Sequence, residues 1–579
     1  TMRHLFRSRL RIVFILILLF AAFLIVRLYF LQVVHGRDYA LAAQNQYVNT
    51  SDTLYDRGDI YFTRKDGTLI SAATLATGFL VAIDPELLTN PEDTYQKINA
   101  ILPLDHDAFM GHANKTTDPY EVIADQVPED AGQKISDLDI TGVILVRERW
   151  RTYPAGSEAA QSIGLVGYND DNSLEGRYGL ERYYDDVLQR PGGGLFGNFF
   201  AELFANVGNT LGDAREAKEG DVITSIEPVV EQKLDDELRD VQAKYSSQAT
   251  GGIIMDPSNG QIVALDVNPS FDPNSFSTGN ANTFGNPLVE RRYEFGSIMK
   301  SLTMTTGIDT GAVTPQTTYN DTGCLTVNKS KICNYDLRAR GVIPMQQILS
   351  QSLNVGASWV ATQVGHARMQ AYFKALGMDT ETGIDLPSEI NGTLANLQSP
   401  GLDVNYDTAS FGQGIALTPV EMIRALGALA NHGAIVTPHL ATAIRLDNGV
   451  TRPLSWGTPT QVFQPSSAAT VTNMLITVVD TALLNGKAKN PDYTVAAKTG
   501  TAQIAAPGGG YYPGNIFFHS FFGYFPATNP RFIILLYTIR PQGVEYASET
   551  LTTSFLDLTH FLTNYYAIPP DRATYENPS

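Results

Sequence analysis

Residues 293–300, Tyr-Glu-Phe-Gly-Ser-Ile-Met-Lys (YEFGSIMK), set Ser297 three positions ahead of Lys300, just past Gly296, at the opening of an apolar run. On a helix, positions i and i+3 share a face with β-carbons about 5–6 Å apart. A lysine placed there can take the proton of the serine hydroxyl, provided the lysine is uncharged. An ordinary lysine titrates near ~10.4, so burial or a second cation has to depress it. A serine at a helix start gains further, because the dipole favours developing negative charge and free backbone N–H groups point outward. Gly296 is expected to leave room for a substrate. An ordinary helix N-terminus with a solvated lysine explains the same eight residues, and Ser-x-x-Lys alone does not decide between the two.

Two further elements do. Ser352-Leu353-Asn354, within QSLNVG, places two polar side chains where both can serve one cleft. Lys498-Thr499-Gly500-Thr501 follows the apolar strand start YTVAA, and Gly500 is expected to let a substrate backbone approach that strand. No second Ser-x-x-Lys, Ser-x-Asn or Lys-[Ser/Thr]-Gly occurs in the chain. Each element has an everyday structural explanation; the three together, in this order, do not. The nine histidines include no His-Glu-x-x-His, no Gly-x-Ser-x-Gly elbow is present, and Asn485-Gly486-Lys487 lacks the spacing of a phosphate loop. Neither a metal nor a cofactor is expected.

The 579 residues exceed what one core serves, so two or three domains are expected. A net charge of −19 leaves no basic face for phosphates, which argues against a nucleic-acid partner. Basic residues do gather at the start: Arg3, Arg7, Arg9 and Arg11 lie in residues 1–11 with no acid among them. Residues 12–34 follow as an apolar run broken by Arg27, about 34 Å long as a helix and sufficient for a ~30 Å bilayer core. A cleaved signal peptide, with Ala40-Leu41-Ala42 as its small-residue site, is the alternative. The apolar run continues past Arg27, which favours a single transmembrane helix with a cytoplasmic N-terminus and everything after Val34 extracytoplasmic.

Residues 35–221 alternate short apolar runs with turns and read as a β-rich spacer. Within it, Phe196, Phe199, Phe200, Leu203, Phe204 and Val207 of the 195–207 stretch fall on one helical stripe, either facing a core or docking on lipid. Residues 222–566 give strands, a helical block, then strands, an α+β pattern whose two ends form one antiparallel sheet. Residues 567–579 read as a tail. Cys324 and Cys333 lie close together in a polar loop, as a short bridge or as two thiols.

The three motifs in this order resemble those of the penicillin-recognising serine transferases. More closely, the chain resembles class B penicillin-binding proteins of the division (FtsI-like) type, almost end to end. RLYFLQVVHGRDY, RGDIYFTRKDG, RTYPAGSEAAQSIGLVGY and GLERYYDDVL are similar to that family's non-catalytic pedestal. LDVNPSFDPNSF, TGIDLPSEINGTL, SFGQGIALTPVEM and KTGTAQI are similar to its transpeptidase domain, and SFGQG favours the septal over the elongation branch. Phe295-Gly296-Ser297-Ile298 departs from the family's usual Pro-Gly-Ser-Thr, and the PGGG turn at 191–194 with its Phe-rich sequel is an addition.

The resemblance implies a serine β-lactamase-like domain, an antiparallel sheet flanked by helices, acting as a peptidoglycan D,D-transpeptidase. Ser297 would attack a stem-peptide D-Ala-D-Ala, with Lys300 as base and the N–H groups of Ser297 and Thr501 as oxyanion hole. Ser352 would relay the proton, Asn354 bind the peptide backbone, and Lys498, Thr499 and Thr501 the carboxylate. β-Lactams would trap Ser297. A SEDS-type glycosyltransferase and other divisome membrane proteins are the implied partners. A lateral-wall transpeptidase, a β-lactamase or carboxypeptidase using Glu389 to activate water, and a catalytically idle divisome scaffold are the alternatives.

Overall fold

The computed structural model describes residues 55–170, 173–190, 219–398, 401–514 and 516–576. The expected membrane span over 12–34 and the Phe-rich 195–207 stretch lie outside them. The described residues fall into two compact units. The smaller includes Leu75–Arg151; the larger includes Arg57–Thr74, Thr152–Gln189 and the described chain from residue 219 on. The units therefore do not part at residue 221, where a linear reading divides the chain. Long-range backbone pairing is the reason: Ile60–Thr63 lies parallel to Gly220–Thr224, with Ile60 opposite Val222. The buried Arg57 guanidinium also grips Glu181 at 2.6 Å. Nor are residues 567–579 simply a tail, since Arg572–Glu576 is helical and buried Arg572 pairs with Asp480 at 2.6 Å.

In the smaller unit the later part of strand Leu69–Ile83 pairs antiparallel with Glu121–Pro128. Helices Pro91–Asn99, His106–Ala113 and Glu129–Ser136 accompany it, around a core of Val81, Ile83, Ile98, Phe109, Val127 and Ile135.

In the larger unit the elements that position the site are α1 (Pro228–Tyr245), β1 (Ala249–Met255), β2 (Ile262–Asn268), α2 (Met299–Asp309), α3 (Asn354–Val364), α4 (Pro419–Ala430), α5 (Pro465–Thr477), β3 (Ala496–Gln503), β4 (Phe517–Phe525), β5 (Phe532–Ile539) and α6 (Thr552–Tyr565). The five strands make one sheet in the order β3-β4-β5-β1-β2, antiparallel throughout. Both ends of the domain thus meet in one sheet, as the sequence pattern implies.

Helices cover both faces of the sheet, which is why β4 and β5 are apolar without alternation. Phe521, Phe525, Ile534 and Leu536 pack with Leu234 and Leu238 of α1 and Phe555 and Leu558 of α6. Phe522, Tyr524, Ile533 and Leu535 belong to the core that also holds Leu302 of α2, Leu426 of α4 and Leu475 of α5. Among the described residues one helical stretch, Pro465–Gly486, is long and apolar enough to cross a membrane. Its Val471, Leu475 and Ile476 are buried in this core, so its apolar character serves packing.

A carboxylate cluster sits where α1 meets β2. Glu231, Asp235 and Asp266 are all buried, and each keeps one oxygen, Oε1, Oδ1 and Oδ2 respectively, away from any donor. Asp235 pairs with Arg239, and Asp235 and Asp266 lie close enough to raise the cost of charging both. Burial, and then the neighbouring carboxylates, push Asp266 well above the usual carboxyl range; burial does the same to Glu231. An acid whose folded-state pKa is raised binds more protons folded than unfolded. Its contribution is therefore full below the unfolded-state value and is lost as pH rises through the folded-state value. Glu231→Gln keeps an acceptor for the Leu265 N–H, which now donates to Glu231 Oε2 at 2.8 Å. It is expected to stabilise the fold by about 1–2 kcal/mol at pH 7.5 and much less at pH 5, read from denaturant melts at both.

Candidate active site

Ser297 sits in a single 3₁₀ turn, Gly296–Ile298, that runs directly into α2. Three glycines let other backbone close on this turn. Gly296 has φ +63°, and a β-carbon there would lie 2.8 Å from the Thr501 carbonyl oxygen. A β-carbon on Gly412, φ +80°, would lie 2.2 Å from the Gly296 carbonyl oxygen, and the Gly296 N–H donates to the Gly412 carbonyl at 3.1 Å. On Gly500 it would meet Ser520 Oγ at 2.3 Å and the Phe295 oxygen at 2.4 Å. Gly296 and Gly500, expected to make room for substrate, permit the turn bearing Ser297 to pack against β3. The Ser520 hydroxyl fastens that contact by donating to the Phe295 carbonyl at 2.7 Å.

The apolar run from Pro344 to Val364 reads as one helix but is two, Met345–Ser350 and α3. Ser352 stands in the break with φ +55°. The break brings both its carbonyl and its hydroxyl to Lys300, at 2.6 and 3.2 Å. Asn354, first residue of α3, donates from Nδ2 to the Cys333 carbonyl at 2.9 Å, which turns its Oδ1 to Lys300 at 2.8 Å. Cys333 is itself disulfide-bonded to Cys324 across the hairpin formed by Cys324–Val327 and Ser330–Cys333. One N–H and the oxygen of the Asn354 amide are thus engaged inside the protein, and its second N–H is not committed by either bond.

Lys300 Nζ, 2.9 Å from Ser297 Oγ, is the centre of the set. It is almost wholly buried, and burial first, then the charge of Lys498, drive it well below the ordinary lysine value. A neutral amine has two N–H donors and one lone pair. The Ser352 carbonyl and Asn354 Oδ1 can only accept, so they take both N–H bonds. The lone pair is then left for a hydroxyl, and Ser297 Oγ at 2.9 Å is nearer than Ser352 Oγ at 3.2 Å. Lys498 Nζ lies 3.0 Å from Ser352 Oγ, and burial lowers it to about 7. Ser352 Oγ therefore stands between two amines.

Ser297, Lys300, Ser352, Asn354 and Lys498 are brought together in one hydrogen-bonded set. Thr499 and Thr501 occupy alternate positions to Lys498 on edge strand β3, and the Thr501 hydroxyl oxygen accepts the Ala547 N–H at 3.1 Å. Glu389 takes no part. Its oxygens accept from Thr382 N and Oγ1, both at 2.6 Å, and from Gly383 N at 3.1 Å. Sequence reasoning passed over Glu294, Asn334, Phe411 and Ser520. Phe411, whose ring centroid is 6.0 Å from Lys300 Nζ, lies inside SFGQG, a phrase read only as a branch marker. Asn334 holds the Val355 N–H at 3.1 Å and so fixes the start of α3.

The penicillin binding protein transpeptidase domain family matches residues 250–557, and the penicillin-binding protein dimerisation domain family matches residues 54–194. Stage V sporulation protein D of Bacillus subtilis is 26% identical over 92% of this chain and 82% of its own length. Peptidoglycan D,D-transpeptidase FtsI of Buchnera aphidicola is 25% identical over 93% of this chain and 92% of its own. Among solved structures, penicillin binding protein 2X of Streptococcus thermophilus superposes with a TM-score of 0.71 at 19% identity, covering 90% of this chain and 82% of that one. Penicillin binding protein 3 of Mycobacterium tuberculosis complexed with aztreonam gives 0.63 at 23% identity, over 73% and 92%. With two family domains in succession and the three motifs converging on one serine, this chain belongs to the class B penicillin-binding proteins of the FtsI type.

Proposed function

We propose that the protein is a septal peptidoglycan D,D-transpeptidase whose nucleophile is Ser297. The observation that carries this reading is the placing of buried Lys300 Nζ 2.9 Å from Ser297 Oγ, with the Ser352 carbonyl and Asn354 Oδ1 at hand to accept its N–H bonds. Lys300 removes the proton as Ser297 Oγ bonds to the carbonyl carbon of the penultimate D-Ala. As the tetrahedral intermediate collapses, Ser352 passes its proton to the nitrogen of the leaving D-Ala and takes up the one held by Lys300, 3.2 Å from its hydroxyl. An amine of a second stem peptide then attacks the ester, returns the hydroxyl to Ser297 and completes the cross-link. Lys498, while charged, holds the terminal carboxylate of the donor in a charge-assisted contact. The unpaired side of edge strand β3 offers backbone groups to an extended peptide.

β-Lactams, which mimic the acylating dipeptide, form the same ester without a leaving group to depart. Mass spectrometry of the penicillin-treated protein is expected to show one penicilloyl adduct, mapping to Ser297 and persisting for many minutes. An adduct elsewhere, or steady hydrolysis of the drug, would overturn the assignment. Glu389 gives no support to hydrolysis, since its oxygens are engaged by Thr382 and Gly383. The names of the relatives and the phrase SFGQG support division over lateral growth. To the same reading belong a single N-terminal membrane anchor with an extracytoplasmic catalytic domain, and partnership with a SEDS-type glycosyltransferase and other division membrane proteins.

A further inference from the structure

Glu294 lies three residues before Ser297 and joins three segments. Its Oε1 accepts the Gly414 N–H at 3.1 Å and its Oε2 accepts the Tyr511 hydroxyl at 2.9 Å. Tyr511 belongs to the loop of residues 504–514 that leaves the end of β3 beside the nucleophile turn. That loop is held by little of its own. Gly508, Gly509, Gly510 and Gly514 each have open space where a β-carbon would point, and the last three have φ between +73° and +90°. Its own backbone bonds are few: Ala506 N–H to the Gly510 carbonyl at 2.9 Å, Gly509 N–H to the Ala506 carbonyl at 3.0 Å and Tyr512 N–H to the Ile504 carbonyl at 3.0 Å. Beyond these, Tyr512 lies under the Arg540 guanidinium at 4.8 Å and Tyr511 bonds to Glu294. A loop with so much glycine and so little packing takes its position from such contacts.

We propose that Tyr511 and Glu294 form a latch that holds loop 504–514 against the turn bearing Ser297, and so sets how tightly the site takes an acyl donor. Both are positioning residues; neither handles the proton. Burial of Glu294, which raises its carboxyl above the usual range, accords with a carboxylate whose hydrogen bonds are internal. The catalytic half of this inference rests on Ser297 being the acylated serine.

The test measures penicillin acylation and proteinase K cleavage of the loop in the full chain. Tyr511→Phe removes one hydroxyl from a partly exposed ring and leaves the core alone. It is expected to raise the half-saturating penicillin concentration about tenfold with the limiting acylation rate unchanged, and to speed cleavage within 504–514 about as much. Glu294→Ala should match it, and the double variant should be no worse than either. Glu294→Gln should approach wild type, because its carbonyl can accept from Gly414 while its amide donates to Tyr511 Oη. The latch is refuted if Tyr511→Phe is cleaved and acylated as wild type, if the loss lies in the limiting rate, or if the two losses multiply. If the wild-type protein takes no acyl group at Ser297, it is the Ser297 reading that fails, and the cleavage comparison still decides whether the latch exists.

Discussion

Lys300→Met is expected to slow acylation of Ser297 by about 10³-fold, within the range that loss of a positioned general base costs. Methionine has nearly the volume and flexibility of lysine, and position 300 is only 1% exposed, so the side chain can fill the same space. The variant loses the lone pair that faces Ser297 Oγ and leaves that hydroxyl with its proton. It also orphans the Ser352 carbonyl and Asn354 Oδ1, which now accept from Lys300. Removing a buried amine saves its desolvation, however, so the melting temperature should change little. Stopped-flow acylation with a fluorescent penicillin reads the rate, and a thermal melt controls for folding. A loss under tenfold in a folded variant would mean that another group takes the proton.

Lys498→Met is expected to lower acylation efficiency about 10²-fold at pH 7 and to change the shape of its pH profile. Acylation needs Lys300 neutral, so the wild-type rate rises with pH through the depressed pKa of Lys300. It also needs Lys498 charged to hold the donor carboxylate, so the rate falls as pH rises through about 7, where Lys498 titrates. The wild-type profile of acylation efficiency is therefore a bell with its alkaline limb near neutrality. Lys498→Met removes that limb. It also removes the positive charge that helps depress Lys300, so the acid limb moves to higher pH, though burial, the larger cause, still holds Lys300 below an ordinary lysine. An alkaline limb that survives in Lys498→Met would assign it to another group. An unmoved acid limb would mean that the two lysines do not sense each other.

The glycines show where reading a sequence goes astray. Gly296 and Gly500 sit inside motifs, and a motif glycine invites a substrate-facing explanation. In the fold each stands where two stretches of backbone cross: Gly296 beneath the Thr501 carbonyl, Gly500 beneath Phe295 and Ser520. Which neighbour a missing side chain makes room for depends on contacts hundreds of residues away in the chain. Asn354 repeats the lesson. Its motif marks it as a polar group of the cleft, and its hydrogen bonds to Cys333 and Lys300 add the task of orienting an amine, which the motif does not announce.

Local chemistry was written in the chain. Ser-x-x-Lys at the start of a helical run, an apolar strand ending in Lys-Thr-Gly-Thr, and strands at both ends of a helical block follow from spacing and hydrophobic pattern. These depend only on near neighbours, so they single out Ser297 and Lys300 as the pair to look at and point to an antiparallel sheet that closes the domain on itself. Tertiary structure decided the remainder. The break that puts Ser352 at φ +55° inside an apolar run, the pairing of Ile60–Thr63 with Gly220–Thr224, and the reach of Glu294 to Tyr511 join residues far apart in sequence. So does the lowered pKa of Lys300, because burial and the proximity of Lys498 are properties of the packed interior rather than of the eight residues around it.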